Sequence, residues 1–230
     1  RVGGESGAIS FQPSELIKIA LVIFLASWLS RRNPEALRSW KRTFLPCVGI
    51  LALAIAPVFT EDFGTAALIL MIGTVTMVLA GVPLRHFIAP AFAVAGMGYL
   101  FVMNSPHRLA RITVMNDVWS PGNPTAYQPR QSLMAIITGG WQGKGIGEGT
   151  LKLGFLPEDS TDFIFSALCE EWGVVGALIL LGLVVLWIRH VWQISLEASD
   201  RFGQVLAAGL GFRIAAQALL HVGVDTVILP

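Results

Sequence analysis

Apolar runs and short polar breaks alternate along this chain of 230 residues. Six runs stand out: Pro13–Leu29, Phe44–Phe59, Phe63–Pro83, Phe87–Met103, Phe163–Ile188 and Phe202–Val224. Crossing a bilayer core takes roughly 20 helical residues, with a range near 17–25. The runs match that requirement, the first two at its short end with soft edges, and they predict six membrane-spanning helices. A water-soluble bundle does not easily place six such runs in so short a chain. The expected fold is an all-α integral membrane protein, a polytopic helical bundle forming a single transmembrane domain over 1–230.

Lysine and arginine in the breaks predict the orientation. The breaks 30–43, 84–86 and 189–201 hold eight cations in 30 residues: Arg31, Arg32, Arg38, Lys41, Arg42, Arg85, Arg189 and Arg201. The segments 1–15, 60–62 and 104–161 hold six in 76: Arg1, Arg108, Arg111, Arg130, Lys144 and Lys152. The first set is expected on the cytoplasmic side. The long segment 104–161 is then a large extracytoplasmic loop, with Trp119, Tyr127, Trp141 and Phe155 among its Gly, Pro and polar residues. Aromatic residues suit the membrane interface, so a packed cap on the bilayer surface is expected rather than a disordered tail.

Composition agrees: 54% of residues are hydrophobic, 13% are charged, and mean hydropathy is +0.66. A net charge of +1 gives no global field for nucleic acid. Cys47 and Cys169 lie inside apolar runs and read as small buried hydrophobes; no disulfide framework or metal spacing is present. The chain opens on Arg1 without a cleavable signal pattern and closes in an apolar run, so the domain is expected to be incomplete at both ends.

Ionisable residues within spans are candidates for function because hydrocarbon penalises them. Glu15 and Lys18, three apart at the outer end of the first span, share a helical face; they are either a structural ion pair or substrate ligands. Glu61 and Asp62 occupy a tight outer turn, where Asp62 is either a cap for the next helix or a ligand. Asp162, Ser166 and Glu170 are spaced four apart and line one face of the fifth run, while Glu171 points elsewhere. Asp162 has a bland reading as a helix-start carboxylate, and Glu170 as a buried hydrogen-bonded acid. Arg213, Gln217, His221 and Asp225 form a second stripe, to be met by other helices, absent spans among them, or by a wet cavity. His86, His107 and His190 sit in breaks or at span ends and read as solvated. Gly143-Lys144-Gly145-Ile146-Gly147 lacks phosphate-loop spacing and no strand precedes it.

Three stretches resemble the SEDS family (RodA, FtsW and SpoVE-like). Phe11-Gln12-Pro13-Ser14-Glu15-Leu16-Ile17-Lys18 is similar to its QPSELxK motif. Asp62-Phe63-Gly64-Thr65 with Ala80-Gly81-Val82-Pro83 is similar to its PDLGT span. The third stretch includes Tyr127-Gln128, Gln131-Ser132-Leu133, Gly139-Gly140 and Gly143-Lys144-Gly145. It continues through Leu156-Pro157-Glu158, Thr161-Asp162-Phe163-Ile164-Phe165 and Glu170-Glu171-Trp172-Gly173. The resemblance covers essentially the whole chain, as spans four to nine of ten. Cys169-Glu170-Glu171 and Gln131-Ser132-Leu133-Met134 incline it toward the FtsW-like branch. The departures are Glu61 and Phe63 for Pro and Leu, Val118 for Pro, Asp159-Ser160 where a His often follows, and His221 for Asn.

The resemblance implies a peptidoglycan glycosyltransferase that polymerises lipid II at the outer face of the bacterial cytoplasmic membrane, beside a class B penicillin-binding protein. It implies Asp162 as the catalytic residue, with Glu15 and Lys18 in a lipid cavity and Asp62 and Glu158 as further substrate-binding residues; Glu170, on the face of Asp162, and Lys144, a loop cation, are expected to bind substrate beside them. Charge at the leaving pyrophosphate is then met by cations, or by a divalent ion (Mg or Mn) for which the sequence shows no cage of side chains. A lipid II flippase and a non-enzymatic scaffold for division or elongation proteins are the rival readings.

Overall fold

A computed structural model describes residues 12–59, 62–119, 124–149 and 163–229, except for the side chains at positions 107, 116 and 124. The elements are α1 (Pro13–Ser30), α2 (Pro34–Leu37), a π-helical turn (Trp40–Phe44), α3 (Leu45–Phe59), α4 (Phe63–Leu79) and α5 (Arg85–Met103). They continue with α6 (Pro106–Asn116), a 3-10 turn (Pro124–Ala126), α7 (Tyr127–Gly139), α8 (Ile164–Glu197) and α9 (Arg201–Asp225). Among the described residues no strand occurs. Each apolar run has become a helix. Five helical stretches are long and apolar enough to cross a membrane, and α4, with 17 residues, is a shorter apolar helix. The fold is that of an all-α, multi-pass integral membrane protein.

The helix ends explain where the runs and the helices differ. Proline opens α1, α2 and α6, where its missing N–H costs nothing. At the end of α4, the Gly81 and Val82 amides turn back to the carbonyls of Val78 and Met77 at 2.9 and 3.1 Å. This double closure stops the helix four residues short of Pro83. Arg201 donates to the Ala80 carbonyl at 2.8 Å, placing a cation at that same C-terminus. In contrast, α8 runs nine residues beyond Ile188, to Glu197. Hydropathy marks where a helix leaves lipid, not where its hydrogen bonding stops, so most of the expected break 189–201 is helical.

The described residues gather into two compact units, Arg1–Ala91 with Trp187–Ala216, and Phe92–Leu186 with Gln217–Pro230. In the first, α1, α3 and α4 enclose a core of Leu25, Ala26, Leu29, Cys47, Leu51, Ile69 and Met77. The break 30–43 folds onto this core through α2 and the π-helical turn, burying Leu37 and Phe44. His86 is therefore not solvated. It is buried edge-on against the rings of Trp40 and Phe44, at 5.4 and 5.6 Å, because that break supplies an aromatic wall. His190 is exposed, as read.

In the second unit, the described part of the segment 104–161 carries its own helices, α6 and α7. Val114, Val118 and Ala126 form a small core backed by Leu133 and Val227. Arg108 of α6 stacks on Phe101 at 3.7 Å, shielding its guanidinium with a ring face. Cys169 in this unit and Cys47 in the first are both free and buried, as small hydrophobes.

Candidate functional site

Polar side chains collect at four places among the described residues. The first is the start of α1. Glu15 lies in its first turn and Lys18 one turn on, so their heads meet at 2.5 Å. The second Glu15 oxygen receives the Arg213 guanidinium from α9, also at 2.5 Å. Lys18 is only 2% exposed, whereas Glu15 keeps 37% of its side chain open. A carboxylate held between two cations is a poor base, since its lone pairs are already engaged. It does hold two positive groups at the edge of a membrane helix, where an anionic headgroup could exchange with it.

At the start of α4, both oxygens of Asp62 are taken by Thr65. The backbone amide donates to Oδ1 at 2.9 Å and the hydroxyl to Oδ2 at 2.6 Å. This is an N-cap on an exposed turn.

The third place is a break in α8. Gly173 has φ of +65° and interrupts the helix. The loop 140–145 enters this gap and takes over the missing backbone bonds. Lys144 and Gly145 donate to the carbonyls of Glu170 and Glu171, at 2.9 and 3.1 Å. Val174 and Val175 donate to the carbonyls of Gly140 and Trp141, at 2.9 and 3.4 Å. Broken backbone at membrane depth needs such partners. The approach is close enough to require glycine: a Cβ on Gly143 would lie 2.0 Å from the Glu171 carbonyl oxygen, and one on Gly173 would lie 2.5 Å from that of Trp141. The same insertion brings Lys144 to Glu170 at 2.6 Å, closing a salt bridge on a carboxylate that is 1% exposed. Gly149 ends the described part of this loop, packed beside the carboxylates of Glu170 and Glu171.

The fourth place joins three helices. Ser132 of α7, Ser166 of α8 and Asp225 of α9 are all 0% exposed. The Ser132 hydroxyl donates to the Asp225 carbonyl at 2.6 Å and lies 2.5 Å from the Ser166 hydroxyl. The Ser166 amide donates to Asp225 Oδ2 at 3.0 Å. Phe163, three residues before Ser166, packs against Ala135.

Of the residues singled out in the sequence, Glu15 and Lys18 meet as their spacing required, and Lys144 joins Glu170. These two pairs belong to different units. Ser166 and Glu170 share the buried face of α8 but have different partners. Asp162 and Glu158 lie outside the described residues. The second polar stripe is met within this chain at both ends, by Glu15 for Arg213 and by Ser166 for Asp225, so absent spans are not needed to explain those two residues. Arg213, Ser132 and Asp225 were not among the sequence-derived site residues. The four-residue stripe pointed at two of them, and Ser132 stood in a matched motif. Among the described residues no group of three His, Cys, Asp or Glu could hold a metal ion.

Comparison with known proteins extends this picture. A structure titled "Structural coordination of polymerization and crosslinking by a peptidoglycan synthase complex" has the same fold, with a TM-score of 0.73 at 24% identity, over 97% of this chain and 62% of that one. A "Probable peptidoglycan glycosyltransferase FtsW" of Hydrogenovibrio crunogenus is 34% identical over 225 residues, which is 96% of this chain and 58% of that protein. Its counterpart in Saccharophagus degradans is 36% identical over 97% of this chain and 59% of its own. Stage V sporulation protein E of Bacillus subtilis is 37% identical, over 97% and 61%. The chain thus spans about three-fifths of the length of these relatives. The family description FTSW_RODA_SPOVE, "Cell cycle protein", matches residues 5–230, and with that coverage the chain belongs to the FtsW/RodA/SpoVE family.

Proposed function

We propose that this chain is the greater part of a peptidoglycan glycosyltransferase that polymerises lipid II at the outer face of the bacterial cytoplasmic membrane. The observation that carries the reading is the likeness to proteins named as peptidoglycan glycosyltransferases, at 34–36% identity and over 96–97% of this chain. Within it, Asp162 is the general base. It takes the proton of the acceptor sugar hydroxyl as that oxygen bonds to the donor's anomeric carbon. The anomeric bond to the lipid pyrophosphate breaks, and its electron pair leaves with the phosphate oxygen. Developing charge there needs cations or donors set in advance. Lys18 and Arg213 at one place, Lys144 at another, and Arg108 and Arg111 of α6 are this chain's described candidates, with Lys152 outside the described residues. Glu158, four residues before Asp162, is the competing carboxylate.

The partner proposed is a class B penicillin-binding protein that cross-links the strands. The likeness in fold to a synthase complex coordinating polymerization and crosslinking supports it. The test is lipid II polymerisation by the full-length protein with its cognate partner, at matched expression. General-base contributions are about 10²–10⁴-fold, so Asp162→Asn is expected to leave little polymer while still co-purifying with the partner. Full activity in Asp162→Asn with loss in Glu158→Gln would move the role to Glu158, and full activity in both refutes the base assignment. Lipid transport without polymer favours a flippase; partner binding with neither activity favours a scaffold.

A further inference from the structure

We propose that Asp225 is a positioning residue for this reaction: from α9 it supplies the N-terminal cap that α8 cannot supply for itself, and so fixes where the chain passes from Asp162 into the helix. The inference rests on the reading of Asp162 as the base.

The first amides of any helix lack acceptors within it, and a Ser, Thr, Asp or Asn at the N-cap normally takes those of the second and third residues. In α8 the N-cap position is Phe163, whose side chain accepts nothing. Its carbonyl already serves Ala167, at 3.1 Å. The amides left over include those of Phe165 and Ser166. Of these, the Ser166 amide turns to the carboxylate of Asp225, donating to Oδ2 at 3.0 Å. The acceptor expected at residue 163 is thus provided from 62 positions along the chain, by a side chain that is fully buried.

Hydroxyl protons tie this cap in place. The Asp225 carbonyl can only accept, so the Ser132 proton is committed to it. The Ser166 hydroxyl meets the same Ser132 oxygen at 2.5 Å. The result is a circuit through α7, α8 and α9, in which Ser132 and Ser166 each donate to Asp225 and touch one another. Phe163, set against Ala135, adds an apolar anchor one residue after Asp162. A buried acid in a membrane helix is costly; here its position coincides with the orphan donors of the neighbouring helix. Asp225 Oδ1 is buried and has no hydrogen-bond partner among the described residues. The circuit holds the residues that follow Asp162, so its loss is expected in turnover rather than in substrate affinity.

The test uses the full-length protein with its partner, following amide exchange at Ser166 together with kcat and KM for lipid II. In the unaltered protein the Ser166 amide is expected to exchange slowly, although it has no acceptor within its own helix; free exchange there overturns the proposal without any variant. Asp225→Leu keeps the branched shape and removes the acceptor. It is expected to speed that exchange by about tenfold, the factor for loss of an ordinary cap, and to lower kcat at least as much with KM within about twofold. Asp225→Asn keeps an acceptor oxygen and should hold kcat within about threefold. Unchanged kcat in Asp225→Leu, beside an inactive Asp162→Asn, overturns positioning and leaves the base reading intact. Full activity in Asp162→Asn overturns the base reading and the positioning role together. A raised KM with kcat unchanged also overturns the proposal, since it would make Asp225 a binding residue.

Discussion

Replacing Gly143 with alanine tests the splice between the glycine loop and the broken helix. Two costs are set by the geometry. Gly143 has φ of +78°, a conformation that costs an L-residue roughly 1–2 kcal/mol. The new methyl would also lie 2.0 Å from the Glu171 carbonyl oxygen, which is backbone and cannot swing aside. The loop must withdraw, and the bonds from Lys144 and Gly145 to Glu170 and Glu171 go with it. Each is worth about 0.5–1.5 kcal/mol net, so the total loss is about 2–5 kcal/mol. Gly147 provides the control. Its φ is +85°, but a Cβ there meets nothing within 4 Å, so Gly147→Ala should cost only the strain of about 1–2 kcal/mol. Thermal unfolding in detergent ranks the two, and amide exchange at Lys144 and Gly145 locates the damage. Equal destabilisation by both variants, with exchange at Lys144 and Gly145 unchanged, would refute the splice.

Three further outcomes are expected. Glu15→Gln leaves Lys18 and Arg213 without the carboxylate between them and should cost about 2 kcal/mol; adding Arg213→Leu should recover part of it, and additive losses would show that the two do not interact. Asp62→Ala removes an N-cap and should lower stability by about 1 kcal/mol in the same melts, whereas Asp62→Asn should lose less. Single cysteines at Ser105 and Thr150 in a Cys-free background should react with an impermeant reagent in intact protoplasts; labelling only after lysis would overturn the orientation.

The helices were legible because lipid imposes one rule on composition and length together. Their ends were not, since they depend on closures such as Val82 to Met77 and on a helix continuing past its apolar stretch to Glu197. The Glu15–Lys18 pair followed from spacing alone; Arg213, its third member, belongs to a helix far along the chain, and a stripe of polar residues does not name its partners. Lys144 and Glu170 were each singled out, but only tertiary structure pairs them. The glycines at 143–147 could be excluded as a phosphate loop, yet their use against α8 left no trace, because contacts between backbones carry no side-chain signature. Asp225 stood in the stripe without a role, as a cap lent by one helix to another obeys no local pattern.

The bridge from Glu15 to Arg213 spans 198 positions, which gives it a place in time as well as in space. At about 5–20 residues per second of synthesis, α1 emerges roughly 10–40 s before the arginine does. During that interval the helix holds its acid against Lys18, a partner only three residues away and of opposite sign, so it can enter the bilayer with no net charge from that pair. Arg213 lies midway along α9, where a lone arginine resists insertion by about 2.5–3.5 kcal/mol on biological scales. Its counter-charge is already installed when it arrives. The early helix is thus equipped to wait, and the late one is recruited by it, so the order of the genetic message becomes part of how this membrane protein assembles.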